Sequence, residues 1–432
     1  MAADRSRATA STVASFERQR YFANQAAAPR VAIERSAAAP VNRIHPFMLR
    51  PPMIQLKRYA VPFACAMTVL LAACASTKDE RRVPTPLVDI KPVLNVNQAW
   101  KASVGKAGRY LFAPVAVGDA VFAAGENGTV AKIDATTGQE VWRTKLKDDL
   151  SAGVGSDGNL TAVGGLKGSV YALGPDGKQL WTATAPGEIV SPPLVGNDLV
   201  VVRTIDGKVI AFSAQTGEQK WIFQLRAVPL NLRVAAAMTF AGNQAVLAGF
   251  PGGNFAAINL QTGDAYWQAP VSYPKGVTEV ERINDVTGAP GLVGAQTCAV
   301  TFQGKIGCFD ANSGRPVWEK NFSSDSGLAQ DEQIVAAGDD WSVVNAFRAS
   351  DGTPVWKNDK LKSRRVSVPF ILGRAVVVGD YKGFVHFLSV DNGEIVGRAP
   401  TDGSEITAPP VLAGNTLVVQ THDGGLYGFR PQ

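Results

Sequence analysis

A unit of about 40 residues recurs along the chain, and nothing else constrains its fold as strongly. Each copy runs from a turn glycine through an alternating strand to a second glycine turn and then a tryptophan. Asn127-Gly128 leads through AKIDATTGQEVW to Trp142, Lys167-Gly168 through VYALGPDGKQLW to Trp181, and Asp206-Gly207 through VIAFSAQTGEQKW to Trp221. Gly252-Gly253 leads through FAAINLQTGDAYW to Trp267, Gln303-Gly304 through IGCFDANSGRPVW to Trp318, and VNAFRASDGTPVW ends at Trp356. A seventh copy, Lys382-Gly383 with VHFLSVDNGEIVG, has Gly397 where the tryptophan belongs, and an eighth stops at LYGFRPQ. The second-turn glycines at 138, 177, 217, 263, 314, 352 and 393 lie 38 to 51 residues apart.

Four short strands per unit and a period near 40 predict an all-β, eight-bladed β-propeller with four-stranded antiparallel blades. In the third unit the strands read PPLV, LVVVRTI, KVIAFSA and EQKWIFQL. Asn-Gly and Asp-Gly pairs supply the positive φ that tight hairpins demand. The eighth unit lacks a fourth strand, while VLNVNQAW, ending at Trp100, has no unit of its own. Pairing the two closes the last blade with the N-terminal strand and leaves the ring no open edge. Trp100, Trp142, Trp181, Trp221, Trp267, Trp318 and Trp356 then form one structural set, each burying about 150–250 Å² between blades. A ligand-stacking row is the rival reading. Trp341 stands outside the set, at a position where other units carry turn residues.

The formal net charge of +6 invites a nucleic-acid reading, but the charge is unevenly placed. Ten of the 43 Lys+Arg and three of the 37 Asp+Glu precede Cys74, leaving 33 against 34 beyond it. The long remainder is near neutral, so no nucleic-acid partner is expected. Lys57-Arg58, the apolar run Tyr59 to Leu71 and Leu71-Ala72-Ala73-Cys74 follow the order of a secretory signal. The apolar run is too short to span a bilayer as a mature helix. A cysteine at the cleavage point resembles the bacterial lipobox, which makes Cys74 the lipidated first mature residue. An ordinary signal with a chance cysteine is the alternative. The expected organisation is a 1–52 extension, either disordered or a start-site misassignment with translation from Met53 or Met48, a signal at 53–73, a linker at 74–92 and the propeller at 93–432.

The repeat resembles the PQQ-type propeller repeat, carried by quinoprotein dehydrogenases and by the BamB family of outer-membrane assembly lipoproteins. Eight repeats after a lipobox resemble the BamB family over nearly the whole mature chain. That resemblance implies a non-enzymatic scaffold of the β-barrel assembly (BAM) machinery on the periplasmic face of the outer membrane. It implies binding to the POTRA domains of BamA and other BAM subunits, with nascent outer-membrane proteins as further partners. Ala75 after the cysteine implies outer-membrane sorting. The alternative is a periplasmic PQQ-dependent dehydrogenase or a solute-binding propeller.

Spacing singles out two connections. From the repeat Trp to the next turn glycine the interval is 26 or 27 residues at three junctions (142 to 168, 181 to 207, 356 to 383), but 32 from 221 to 253 and 37 from 267 to 304. The two long intervals are consecutive, so two enlarged loops, around 222–240 and 268–292, are expected side by side on one face of a rigid scaffold. The first contains Leu230-Asn231-Leu232-Arg233 and the second Glu279 through Val286. Apolar anchors with nearby charges suit protein docking; inward-facing leucines and solvated charges are equally compatible with the residues. The resemblance assigns Leu230, Leu232, Arg233 and Asp285 to BamA binding, with Thr287 where the family carries a second Asp.

Catalytic signatures are scarce. His386 and His422 are the only histidines after Cys74, and no CxxC, HExxH, P-loop or GxSxG element occurs. No catalytic residue, metal site or cofactor is expected. Asp134 and Asp310 occupy the repeat's own Asp position and suit turn capping. Cys298 and Cys308 flank a hairpin around Gln303-Gly304 that places them directly opposite each other, within disulfide reach in an oxidising periplasm. Two buried thiols are the alternative.

Overall fold

The computed structural model describes residues 83–432. The expected Cys74 lipidation, the 1–52 extension, the 53–73 signal and the first part of the 74–92 linker fall outside the described residues. Among the described residues, thirty-two strands form eight four-stranded antiparallel sheets. Seven sheets are consecutive, at 115–145, 150–184, 194–224, 238–270, 286–321, 328–358 and 370–400. We number these blades 1 to 7 and letter their strands a to d from the axis outward. In blade 8, strands a to c lie at 411–431 and the N-terminal strand Val96–Ser103 supplies strand d, pairing antiparallel with Gly425–Pro431 from Val96 opposite Pro431 to Ser103 opposite Gly425. No helix among the described residues is long and apolar enough to cross a membrane.

No blade owns a core. The buried apolar side chains fall into eight clusters, and each spans two neighbouring blades. Strands b and c are buried on both faces, whereas strand d alternates outward. A half-covered sheet of this kind is stable only against its neighbours, which is why a closed ring follows from the repeat.

The tryptophans show how blades engage. Each c–d pair carries a bulge, beside the Trp in the seven blades that have one: Lys132 pairs with Trp142 but Ile133 with Glu140, which leaves Val141 unpaired and outward. The bulge turns the indole toward the following blade. There each Nε1–H donates to the backbone carbonyl that follows strand c, at 2.6 to 3.0 Å, in all seven cases from Trp100 to Ala135 through Trp356 to Val390. The ring lies flat on the c–d turn glycine. At Gly217, φ is +72° and a Cβ would stand 2.6 Å from the Trp181 ring, so conformation and contact both demand glycine. Asp134 accepts from the amides of Thr136 and Thr137 at the same turn, and these bonds hold its carboxyl below the usual range.

The seventh unit's missing Trp now has a cause. A Trp at Gly397 would dock on the c–d turn of blade 8, but that turn does not exist, because strand d there comes from the other end of the chain. Leu94 and Val96 join the apolar cluster at this junction instead. The segment before strand d meets the last residue there, with the Gln432 amide donating to Asn95 O at 2.8 Å. The 74–92 segment, read from sequence as a linker, is packed against the ring from Thr85 onward.

Cys298 and Cys308 are opposed in register on strands b and c of blade 5, fully buried and bonded to each other.

Candidate docking site

The d–a connections and the b–c turns share one face of the ring. The enlarged connections follow blades 3 and 4, at 225–237 and 271–285, and they are interlocked rather than merely adjacent. Asp285, only 1% exposed, accepts from the Leu232 amide with one carboxylate oxygen and from the Gly252 amide at 3.1 Å with the other. Gly252 sits at φ +75° in the b–c turn of blade 4. One buried carboxylate therefore joins both long connections and a turn. Burial pushes the Asp285 carboxyl up; the two amides and the positive charge of Arg203 partly offset this. Arg203, at the end of strand b in blade 3, is itself buried, and its guanidinium is lowered to about 10 by burial despite Asp285.

Burial and two backbone bonds turn Asp285 inward, beneath the Leu230–Arg233 segment, rather than outward as a surface charge. Leu230 is 43% exposed, Leu232 is half-buried, and the Arg233 side chain is exposed and paired with Glu188 of the blade 2–3 connection. Asn231 donates its side-chain amide to Ile205 O at 3.5 Å. Thr287, where the family has a second acid, is buried and donates to Ser324 O at 2.9 Å.

The second connection adds exposed apolar residues, of which Tyr273 and Val277 lie outside the stretch singled out from the sequence. Tyr273, Val277 and Val280 are exposed, Val277 to 96%. Their loop is built rather than slack: the Glu281 carboxylate accepts from the amides of Val277 and Thr278 at 2.8 and 3.1 Å. Three apolar residues in a loop without strand alternation were the available signal.

Toward the axis the same face opens into a funnel of about 1260 Å³, whose lining includes Arg109, Arg233, Asp325, Trp341, Arg365 and Glu405. His422 also lines it, with its Nε2 against Gly108 O. His386 is fully buried inside blade 7. Among the described residues, no group of three or more His, Cys, Asp or Glu side chains converges as metal ligands would. The repeat tryptophans are committed to inter-blade bonds and do not line the funnel.

The family profile described as outer membrane protein assembly factor BamB matches residues 126–358 and 342–432. The chain is 74% identical, over 378 residues, to a protein of that name from Burkholderia pseudomallei, covering 87% of this chain and 99% of the relative. The crystal structure of BamB from Moraxella catarrhalis superposes with a TM-score of 0.72 at 25% identity, covering 78% of this chain and all of that one. The quinohemoprotein alcohol dehydrogenase of Comamonas testosteroni superposes at 0.60 with 14% identity, a likeness of fold alone.

Proposed function

The chain belongs to the BamB family of outer membrane protein assembly factors, and from that membership we propose a non-enzymatic scaffold that docks on the POTRA domains of BamA. It serves assembly of β-barrel proteins in the outer membrane. Lipid on Cys74 tethers it to that membrane on the periplasmic side.

The observation that carries the docking reading is the buried Asp285. It fixes the backbone of Leu232, and so holds Leu230 outward and Arg233 at the funnel rim before any partner arrives. A preformed loop loses little conformational entropy on binding. Leu230 and Leu232 supply the apolar anchor, Arg233 supplies charge, and Asp285 acts as a positioning residue. Arg233 enters docking already paired with Glu188, so a partner carboxylate competes for the guanidinium.

Site-specific photocrosslinking in cells tests this. A photoreactive residue at Leu230 or Arg233 is expected to give a BamA adduct that a probe at Lys178, on the opposite face, does not. Equal labelling at all three positions would refute the docking site. Arg233→Glu places two acids side by side at Glu188 and is expected to weaken BamA binding about tenfold or more.

A further inference from the structure

We propose that residues 84–95 form a strap that carries the N-terminal tether from the back of the ring to its docking face, and so selects the face the ring turns toward the membrane. The inference rests on the lipid-anchor reading of Cys74.

The path of the chain carries it. Strand d of blade 8 begins at Val96, opposite Pro431, at the face of the c–d turns, and ends at Ser103 near the b–c turn of blade 8 on the docking face. A tether leaving from Val96 would emerge at the back. The chain instead turns there and runs the full height of blade 7. The Val93 and Leu94 amides donate to Val396 O at 2.9 and 3.0 Å. Leu94 O lies where a side chain at Gly397 would come within 3.1 Å, so the strap occupies the place of the absent Trp. Leu87 and Ile90 pack on the core between blades 6 and 7. The Thr85 amide then donates to Lys362 O at 3.0 Å in the blade 6–7 connection, and Pro84 lines the same funnel as Arg233.

A charged cluster fastens the strap. Arg364 donates through Nη1 to Thr85 O at 3.0 Å, and Arg398 through Nη1 to Val88 O at 3.1 Å. Both arginines are set from beneath. Arg364 contacts the buried Asp380 Oδ2 through Nε at 2.8 Å and Nη2 at 2.7 Å. Arg398 Nε donates to His386 Nδ1 at 3.2 Å, which places the His386 proton on Nε2, 3.0 Å from the same Asp380 oxygen. Arg364, Asp380 and His386 are buried and Arg398 half-buried, and burying such groups is costly unless they are bonded. The outward bonds of the two arginines go to strap carbonyls.

Reach follows from chain length. Ten residues separate Cys74 from Pro84, about 35 Å at full extension, against 22 residues and about 75 Å to Val96. The fastened strap thus halves the leash and moves its origin to the docking face.

The test uses the full lipoprotein in lipid vesicles containing an acceptor dye, with donor labels on Lys382→Cys (b–c turn) or Asn392→Cys (c–d turn), both in blade 7. The expected result is energy transfer about twofold stronger or more from position 382. Arg364→Ala with Arg398→Ala is expected to erase that difference. A 12-residue Gly-Ser insertion between Lys78 and Asp79, which leaves ring and strap untouched, is expected to lower transfer from both positions. Equal transfer from the two positions in the attached parent protein, or stronger transfer from 392, overturns the strap's role. A parent protein that does not attach to vesicles at all overturns the anchor reading, and the orientation claim with it.

Discussion

Replacing Asp285 by alanine removes one small side chain and disconnects three elements. The Leu232 and Gly252 amides both lose their acceptor in a buried setting. Each unsatisfied donor costs about 1–3 kcal/mol. Arg203, buried nearby without a direct bond to Asp285, loses the negative charge that partly offsets its own desolvation. These losses overlap, since water admitted to the vacated space serves more than one group, so the expected total is about 3–5 kcal/mol. Urea denaturation followed by tryptophan fluorescence reads it, and hydrogen exchange reads its locality: the Leu232 amide is expected to lose protection while strands b and c of distant blades keep theirs. Removing Arg203 as well, in Asp285→Ala/Arg203→Met, is expected to cost less than the two single changes added together, with a coupling of about 1 kcal/mol or more. A loss below about 1 kcal/mol with unchanged exchange at Leu232 would refute the claim that this carboxylate shapes the docking loop.

Gly217→Ala forces a side chain into positive φ and against the Trp181 ring; a loss of about 2–4 kcal/mol is expected in the same assay. His386 is held below its ordinary range, first by burial and then by the arginines facing it, although Asp380 opposes this. The unfolded chain therefore takes up a proton near pH 6.5 that the folded protein declines. Stability from this group is complete above that pH and falls as pH drops, by up to about 1.4 kcal/mol per pH unit; urea midpoints between pH 8 and 5 should show a steeper decline in the parent than in His386→Gln. Cys298→Ala/Cys308→Ala opens a ten-residue loop, which corresponds to a loss of about 2–3 kcal/mol. Finding both thiols alkylatable in unfolded, unreduced parent protein would remove that expectation.

The ring was legible because its periodic residues each obey a local rule. A positive-φ glycine, a bulged strand and a donor indole are chemical demands that leave the same letters in every unit. The enlarged connections were legible as excess length between tryptophans, whereas the outward direction of Leu230 was one of two orientations the residues left open. The direction of Asp285 was not, since an acid in a loop reads the same whether it meets a partner or two amides of its own chain. That information lies in long-range contacts with Leu232 and Gly252. The strap was hidden for a related reason. Residues 83–95 show no periodicity, and their packing becomes intelligible only once Gly397 is seen to lack a turn to dock on. Gly397 was visible as an exception, but its cause lay at the other end of the chain.

The closing pair of strands also sets an order in time. Trp100 sits beside Gly428, so the first strand of the ring waits for almost the last residues to be made. Loop closure over such a separation is slow, and contacts that depend on it form late. Blades 1 to 7 can assemble on their neighbours as they emerge, while strand Val96–Ser103 remains without its partner until strand Gly425–Pro431 is made. A chain truncated before Gly425 would never satisfy its first strand. Closure of the ring is thus coupled to synthesis of strand Gly425–Pro431, and a product terminated before it would carry an unpaired strand edge that folding factors and proteases can recognise.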